Sequence, residues 1–145
     1  EGLRVEIELP TEDVVGFIDP VLLRQALVNL IDNAIDAVHD TGTITLAASR
    51  EGDDVILEVA DTGVGLPTDD TEMLLQPFFS TKGRGSGMGL ALVHRIVTDH
   101  GGTLHLENRS PRGTVARILL TDAVATAMEV DPTPQGTTTT DHGTV

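Results

Sequence analysis

The most informative motif of the chain is Asp61-Thr62-Gly63-Val64-Gly65-Leu66-Pro67, which follows directly on the strand-like run of residues 55–60. A carboxylate at the end of a strand, followed by two nearby glycines, leaves backbone that a flat ligand can approach closely. The same tripeptide Asp-Thr-Gly is also typical of a simple turn. The other motifs of the chain decide between these two interpretations.

A second glycine motif, Gly85-Ser86-Gly87-Met88-Gly89-Leu90, stands where a helix is predicted to begin. Free backbone amides and the positive end of a helix dipole suit a phosphate. Lys82 and Arg84 lie just upstream, on a chain with 9 Lys and Arg and a net charge of -14. An anionic ligand needs such local positive charge. Ordinary solvation of a loop remains the alternative for these two cations.

A polar stripe marks the predicted first helix, with members three and four residues apart: Gln25, Asn29, Asp32, Asn33 and Asp36. A solvated helix face would explain most such stripes. Asparagine is a poor helix former, however, so two of them one turn apart need another reason. Amide oxygens can complete the shell of a Mg²⁺ ion whose other ligands are a triphosphate and water. The three motifs together predict a magnesium–nucleotide pocket, in which the Asp61 carboxylate accepts a hydrogen bond from the exocyclic amine of adenine.

The hydrophobic pattern predicts an alternation of strands and helices. Asp19-Pro20 is a helix-start signal, and Gly42 follows the predicted helix end. Residues 62–86 should lack regular structure apart from a short turn at 72–75, as a functional or mobile loop would. The expected strands are a half-buried one at 4–9, a short one at 14–18, and others at 43–49, 55–60, 103–107 and 113–120; the helices are 20–39 and 87–100.

Composition sets further limits. A chain of 145 residues with 39% hydrophobic content suffices for one domain with a core. The charge of -14 argues against a nucleic-acid partner, and no apolar run approaches the roughly 20 residues that span a bilayer, so we expect no direct membrane contact. The absence of Cys fits a reducing compartment, so we expect a cytoplasmic location. Because the chain starts at Glu1 without Met, we expect an excised domain of a longer protein.

The composition changes near residue 121, which predicts two regions. Residues 1–121 carry the core-forming pattern. The second region is residues 122–145, whose last part, 131–145, is rich in Thr and has almost no core-forming residues. We expect this second region to be a disordered tail or linker.

Five ordered motifs resemble the N, G1, F, G2 and G3 boxes of sensor histidine kinases, in the gyrase, Hsp90, histidine kinase and MutL superfamily. They are Asn29-Leu30-Ile31-Asp32-Asn33-Ala34, the stretch from Asp61 to Pro67, Pro77-Phe78-Phe79-Ser80-Thr81-Lys82, the glycine motif from Gly85 to Leu90, and Gly113-Thr114. The form of the first and third motifs is most similar to the nitrogen-regulation sensor kinases. The resemblance covers residues 3–120.

The resemblance implies a two-layer α/β sandwich, with a mixed sheet, helices on one face and a mobile lid over ATP. It implies that Asn29 and Asn33 hold Mg²⁺, that Asp61 reads adenine and that Thr114 lies near an adenine-bound water. Lys82 and Arg84 correspond to phosphate contacts in the lid. The other residues expected around the nucleotide are Asp36, Gly63, Gly65, Leu66, Thr81, Gly85, Ser86, Gly87, Met88, Gly89 and Leu90.

One position indicates the type of chemistry. The gyrase-like and MutL-like ATPases carry a water-activating glutamate four residues before the magnesium asparagine, whereas this chain has Asn29 there. An amide cannot act as a base, so phosphoryl transfer is favoured over hydrolysis. We therefore assign Asn29 as a catalytic residue. We assign Lys82 and Arg84 as catalytic residues too, because they correspond to phosphate contacts in the lid.

The acceptor histidine of the family belongs to a separate helical dimerisation module. None of the chain's 5 histidines has the sequence setting of that acceptor. We therefore expect a protein histidine kinase domain that binds Mg-ATP but does not autophosphorylate alone. Its expected partners are the histidine-bearing dimerisation helices of the same kinase and, indirectly, a response regulator. The isolated domain is expected to be a monomer. A cytoplasmic kinase and the cytoplasmic part of a membrane-anchored sensor are both compatible with it.

Two alternatives stay open. A serine kinase of the anti-sigma type shares these motifs and would phosphorylate a protein partner without a helical module. A nucleotide-binding module without catalysis would bind Mg-ATP and transfer nothing.

Overall fold

Five strands form one mixed sheet in the computed structural model, which describes residues 2–14, 16, 18–76 and 89–121. The strand order is β1-β2-β3-β5-β4; β1 runs parallel to β2, and the other neighbours are antiparallel. The elements in chain order are β1 (Leu3–Glu8), α1 (Pro20–Val38), β2 (Gly42–Glu51), β3 (Asp54–Asp61), α2 (Thr71–Leu74), α3 (Gly89–Asp99), β4 (Thr103–Asn108) and β5 (Thr114–Leu120). The predicted α/β sandwich with a mixed sheet is confirmed.

Helix α1 begins and ends where its sequence signals predict. The Asp19 carboxylate accepts hydrogen bonds from the backbone N–H groups of Val21 and Leu22, at 2.9 and 3.3 Å, and Pro20 occupies the first turn. His39 caps the other end with a φ of 61°. Residues Ala26, Leu30, Ala34 and Val38 are buried, as expected for one apolar face at helical spacing.

The two long helices and the sheet share one core. Helix α1 packs beside α3 and over β2 and β3, while α3 covers β4. The buried cluster comprises residues of both helices and of four strands: Ala26, Leu30, Ala34, Val38, Ile44, Val55, Val59, Val93, Ile96, Val97, Leu104, Ala116, Ile118 and Leu120. With this packing, the carboxyl end of α1 lies beside the start of β2 and the end of β3.

The opposite face of the sheet carries an ionic cluster centred on Arg117. Its Nε donates to Glu58 on β3 at 3.0 Å, and one of its terminal nitrogens, Nη1, donates to Glu107 on β4 at 3.1 Å. The hydrogen bond to Glu58 is the main cause that raises the pKa of the guanidinium above the usual range. The cluster therefore ties three adjacent strands together on the side away from the helices.

Two expectations for the amino-terminal region are wrong. Strand β1 exists, but it is exposed along its whole length instead of half-buried, with Val5 56% and Ile7 63% exposed. The reason is its edge position, because α1 packs over β2 and β3 instead. Val14, Gly16 and Ile18 form no strand, while Val15 and Phe17 lie outside the described residues. Val14 and Ile18 nevertheless pack against the core.

The other boundaries differ from prediction by a few residues. Strands β2, β3, β4 and the turn-like helix α2 lie where the pattern placed them. Helix α3 is assigned from Gly89 to Asp99, and Gly87 and Met88 of the predicted helix lie outside the described residues. The predicted tail, 122–145, lies outside them as well. Within the described ranges, no helix combines the length and apolarity needed to cross a membrane.

Candidate functional site

Sheet register brings together two predicted site residues that lie far apart in sequence. Asp61 is the last residue of β3 and pairs with Thr114, the first residue of β5. Thr114 pairs on its other side with Asn108, the last residue of β4. Because side chains alternate along a strand, Asp61 shares the helix-covered face with Val59. Asp61 is 4% exposed, so a buried carboxylate stands at this end of the sheet.

The loop after Asp61 is fixed by its own carboxylate and by α1. Gly63 donates its backbone N–H to Asp61 Oδ1 at 2.8 Å. A β-carbon on Gly63 would collide with the backbone carbonyl of Ala37 in α1, and Val64 donates its N–H to that carbonyl at 3.1 Å. The glycine is therefore required for close approach to the helix. Sequence reasoning attributed it to a ligand and missed this contact.

A threonine joins the same loop to β2. Thr43 donates its backbone N–H to Thr62 Oγ1 at 2.9 Å, and Thr62 donates its own N–H to the carbonyl of Thr43 at 3.1 Å. The backbone immediately after Asp61 is thus held on two sides, by α1 and by β2.

The connection between β4 and β5 holds the loop from a third side. Asn108 accepts the backbone N–H of Leu66 through Oδ1 at 2.8 Å, and Arg112 donates from Nε to the carbonyl of Gly63 at 2.9 Å. Gly65 has a φ of 86°, and a β-carbon there would lie 3.0 Å from Asn108 Oδ1. Sequence reasoning named neither Asn108 nor Arg112. Only the pairing of β4 with β5 reveals their position.

The polar stripe of α1 divides into two parts. Gln25 and Asp32 are exposed, as a solvated face would be, whereas Asn29, Asn33 and Asp36 are half-buried. Of the half-buried part, Asn33 lies beside the start of α3, since a β-carbon on Gly89 would lie 4.0 Å from Asn33 Nδ2. The structure thus brings the second asparagine to the amino end of α3. Leu90, also expected at the nucleotide, packs against the core.

The donor set fits the predicted ligand. Within the described ranges, no group of three or more His, Cys, Asp or Glu side chains is arranged to hold a metal ion. The side-chain oxygens of Asn29 and Asn33 are hard donors of the kind that Mg²⁺ accepts, and an ion held there would take its remaining ligands from phosphate and water. A buried carboxylate at Asp61 suits the exocyclic amine of adenine. The residues therefore fit Mg-ATP.

Several predicted contacts cannot be placed. Those that lie outside the described residues are Thr81, Lys82, Arg84, Gly85, Ser86, Gly87 and Met88. The described part of the candidate site therefore has two regions. One is the end of β3 around Asp61 and Thr114, which we call the base end because the nucleotide base is predicted to bind there. The other is the junction of α1 with α3.

A separate groove of about 530 Å³ lies between residues 8–14, residues 47–50 and Glu58. None of its lining residues belongs to the predicted site. Its walls carry the carboxylates of Glu8, Glu12, Asp13 and Glu58 against the one cation Arg50. An anionic nucleotide would meet repulsion there, so chemistry favours the end of the sheet at Asp61.

Comparison with known proteins gives a consistent result. A family model described as "Histidine kinase-, DNA gyrase B-, and HSP90-like ATPase" matches residues 18–124. The sensor histidine kinase ZraS of Escherichia coli K12 is 40% identical over 102 residues, which are 70% of this chain and 22% of that protein. The nitrogen regulation protein NtrY of Azorhizobium caulinodans is 37% identical over 129 residues, or 84% and 16%. The chain thus spans about a fifth of the length of these relatives.

Solved structures agree with the sequence comparisons. The catalytic domain of histidine kinase ThkA superposes with a TM-score of 0.74 at 32% identity, covering 81% of this chain and 79% of that one. ThkA in complex with the response regulator TrrA matches with a TM-score of 0.71 at 29% identity, covering 81% and 34%.

Proposed function

The chain belongs to the histidine kinase-, DNA gyrase B- and HSP90-like ATPase family, as a catalytic domain of the sensor histidine kinase type, and from this we propose its specific activity. It binds Mg-ATP and donates the γ-phosphate to a histidine on a separate dimerisation domain of the same kinase. A response regulator then receives the phosphoryl group in a two-component system. The observation that carries the proposal is the buried Asp61 carboxylate paired with Thr114.

Base recognition is assigned to the end of β3. Asp61 is 4% exposed, and a carboxylate is a strong acceptor for the exocyclic amine of adenine. One oxygen of Asp61 already accepts from the backbone of Gly63, which fixes the orientation of the carboxylate. Thr114, directly opposite, offers a hydroxyl to the same ligand or to a water beside it.

Phosphate binding is assigned to the junction of α1 and α3. Asn29 and Asn33 would hold Mg²⁺, which when bound neutralises phosphate charge and aligns the γ-phosphate for in-line transfer. Gly89 and Asn33 are close enough to share one phosphate–metal assembly. Lys82 and Arg84 would add positive charge from the lid. In a chain of net charge -14, these local cations would offset long-range repulsion of the nucleotide.

Transfer is favoured over hydrolysis by the side chain at Asn29. An amide has no basic atom to take a proton from water. An attacking imidazole brings its own lone pair, so transfer to histidine does not need a carboxylate at this position. We assign the acceptor histidine to the dimerisation helices of the full-length kinase. We also propose a cytoplasmic location for the domain.

The first test is calorimetric titration of the chain with a non-hydrolysable ATP analogue, with and without Mg²⁺. Saturable binding that depends on Mg²⁺ is expected. A lack of binding under both conditions would contradict the proposal.

A second test separates transfer from its alternatives. The chain is mixed with its own dimerisation helices and labelled ATP, and acid-labile phosphohistidine is expected on those helices. Acid-stable phosphoserine on a protein partner would support the serine kinase alternative. Binding without transfer to any acceptor would support a module without catalysis.

A further inference from the structure

The polar side chain that closes β4 contacts the predicted nucleotide loop. Asn108 pairs in register with Thr114, which pairs with Asp61, so the three residues stand side by side at the ends of adjacent strands. The Asn108 carbonyl oxygen accepts the N–H of Leu66 at 2.8 Å. Leu66 is 42 positions away in sequence, and local geometry alone would not bring them together.

The backbone around this contact is already constrained toward its amino end. Asp61 holds Gly63, α1 holds Val64, and β2 holds Thr62. Directly after Val64, Gly65 adopts a φ of 86° that L side chains rarely adopt. The hydrogen bond to Asn108 fixes the chain immediately after that unusual residue.

We propose that Asn108 is a positioning residue for nucleotide binding, because it anchors Gly65 and Leu66 against the base end of the site. This inference rests on the proposed function for its effect on ATP. Arg112 supports the same loop from the same connection through its bond to the Gly63 carbonyl. Without the anchor, the loop from Gly65 onward would lose its fixed distance from Asp61 and Thr114. A nucleotide would then have to order that backbone itself, which weakens binding.

The test compares two substitutions of Asn108. Asn108→Leu has the same branching and the same number of side-chain heavy atoms but no acceptor, whereas Asn108→Asp keeps an oxygen acceptor for Leu66. Glu107→Gln is the control, since Glu107 is adjacent on β4 but faces the Arg117 cluster. The amide hydrogen exchange rate of Leu66 in the nucleotide-free protein measures whether the hydrogen bond to Asn108 is intact. Titration with the Mg²⁺-bound ATP analogue measures how its loss changes the Kd.

The expected result has three parts. Leu66 exchange accelerates in Asn108→Leu, stays near wild type in Asn108→Asp, and is unchanged in Glu107→Gln. The Kd of Asn108→Leu rises roughly five- to tenfold, the effect of losing about one hydrogen bond. The added charge in Asn108→Asp would repel the phosphates of the nucleotide, so this variant is compared by exchange in the nucleotide-free protein and not by Kd.

Two results would overturn the inference. One is an unchanged Kd in Asn108→Leu despite faster Leu66 exchange. The other is an equal acceleration of core amides such as Ile118, which would mean a general loss of stability. Failure of the wild-type chain to bind the analogue would instead overturn the proposed function, and Leu66 exchange would still decide whether Asn108 anchors the loop.

Discussion

The backbone of Gly113 lies against the carbonyl of Asp61 so closely that no β-carbon could fit between them. Gly113 also has a φ of 115° and accepts the N–H of Arg109 at 2.8 Å. The glycine just before β5 is therefore required by the packing of β5 against the end of β3. The buried carboxylate and Thr114 stand opposite each other because this contact allows the strands to meet.

Gly113→Ala should destabilise the domain strongly. The new methyl group would collide with the Asp61 carbonyl, so β3 and β5 would have to separate at the site, and we expect a loss of more than about 2 kcal/mol in the free energy of unfolding. Gly101→Ala is a matched control, because Gly101 also has a positive φ, of 73°, with open space around it. That control should cost about 1 kcal/mol. Urea unfolding measures both, and equal losses would refute the collision.

Asp61→Asn should weaken nucleotide binding strongly without unfolding the domain. The asparagine keeps an oxygen for the Gly63 N–H, but it loses the charge that favours an amine donor. We expect the Kd for Mg-ATP to rise on the order of 100-fold, as for loss of a charge-assisted hydrogen bond of about 2–3 kcal/mol. Asp54→Asn, at the other end of β3, should bind normally. Tight binding by Asp61→Asn would disprove the adenine assignment.

Arg117→Met should lower stability by about 1 kcal/mol, because both hydrogen bonds to Glu58 and Glu107 are lost while the aliphatic stem remains. The comparison is Arg95→Met, whose contact with Asp99 spans 3.9 Å between exposed side chains and should contribute nothing measurable. A double-mutant cycle with Glu58→Gln isolates the pair. A coupling energy of zero would show that the cluster is not a stabilising contact.

The contribution of Arg117 should not depend on pH in the ordinary range. A cation whose pKa is raised by folding contributes stability that is fully present below its unfolded pKa, and this contribution is lost only as the pH rises through the raised value. For arginine both values lie above ordinary working conditions. The difference between wild type and Arg117→Met should thus be the same at about pH 7 and at about pH 9. A difference that shrinks at pH 9 would contradict this.

Asp19→Ala should cost about 1 kcal/mol of stability, because two backbone N–H groups at the start of α1 would lose their acceptor. Asp19→Ser should restore most of the loss, since serine is also a good cap. Asp70→Ala, which uncaps the four-residue α2, should have a smaller effect. Thermal unfolding of the three variants orders these effects, and an uncapped Asp19→Ala as stable as wild type would exclude the cap as a source of stability.

Local sequence signals were sufficient wherever the structure depends on neighbours along the chain. The helix-start signal Asp19-Pro20 and the glycine Gly42 placed α1 within a few residues, and the hydrophobic pattern placed β2 and β3. The motif around Asp61 and the pair Gly113-Thr114 were also identified as parts of one site, and the register of β3 with β5 places them together. Their roles toward a nucleotide stay predictions.

Signals that depend on distant neighbours could not be read in the same way. The alternation in β1 predicted burial, but burial depends on whether a helix covers the edge strand, and α1 does not. The contact of Gly63 with Ala37 needs the relative position of a loop and a helix. No role was assigned to Asn108 from the sequence, because its partner Leu66 comes from another part of the chain.

The tight turn between β2 and β3 is a suitable position for a fluorescent side chain. It lies at the end of β3 remote from Asp61, where Glu51 pairs with Asp54 and Gly52 has open space around it. The chain contains no Trp and no Tyr. A tryptophan introduced at Asp53 would therefore be the sole indole fluorophore, and its fluorescence anisotropy would follow rotational tumbling without disturbing the loop around Asp61.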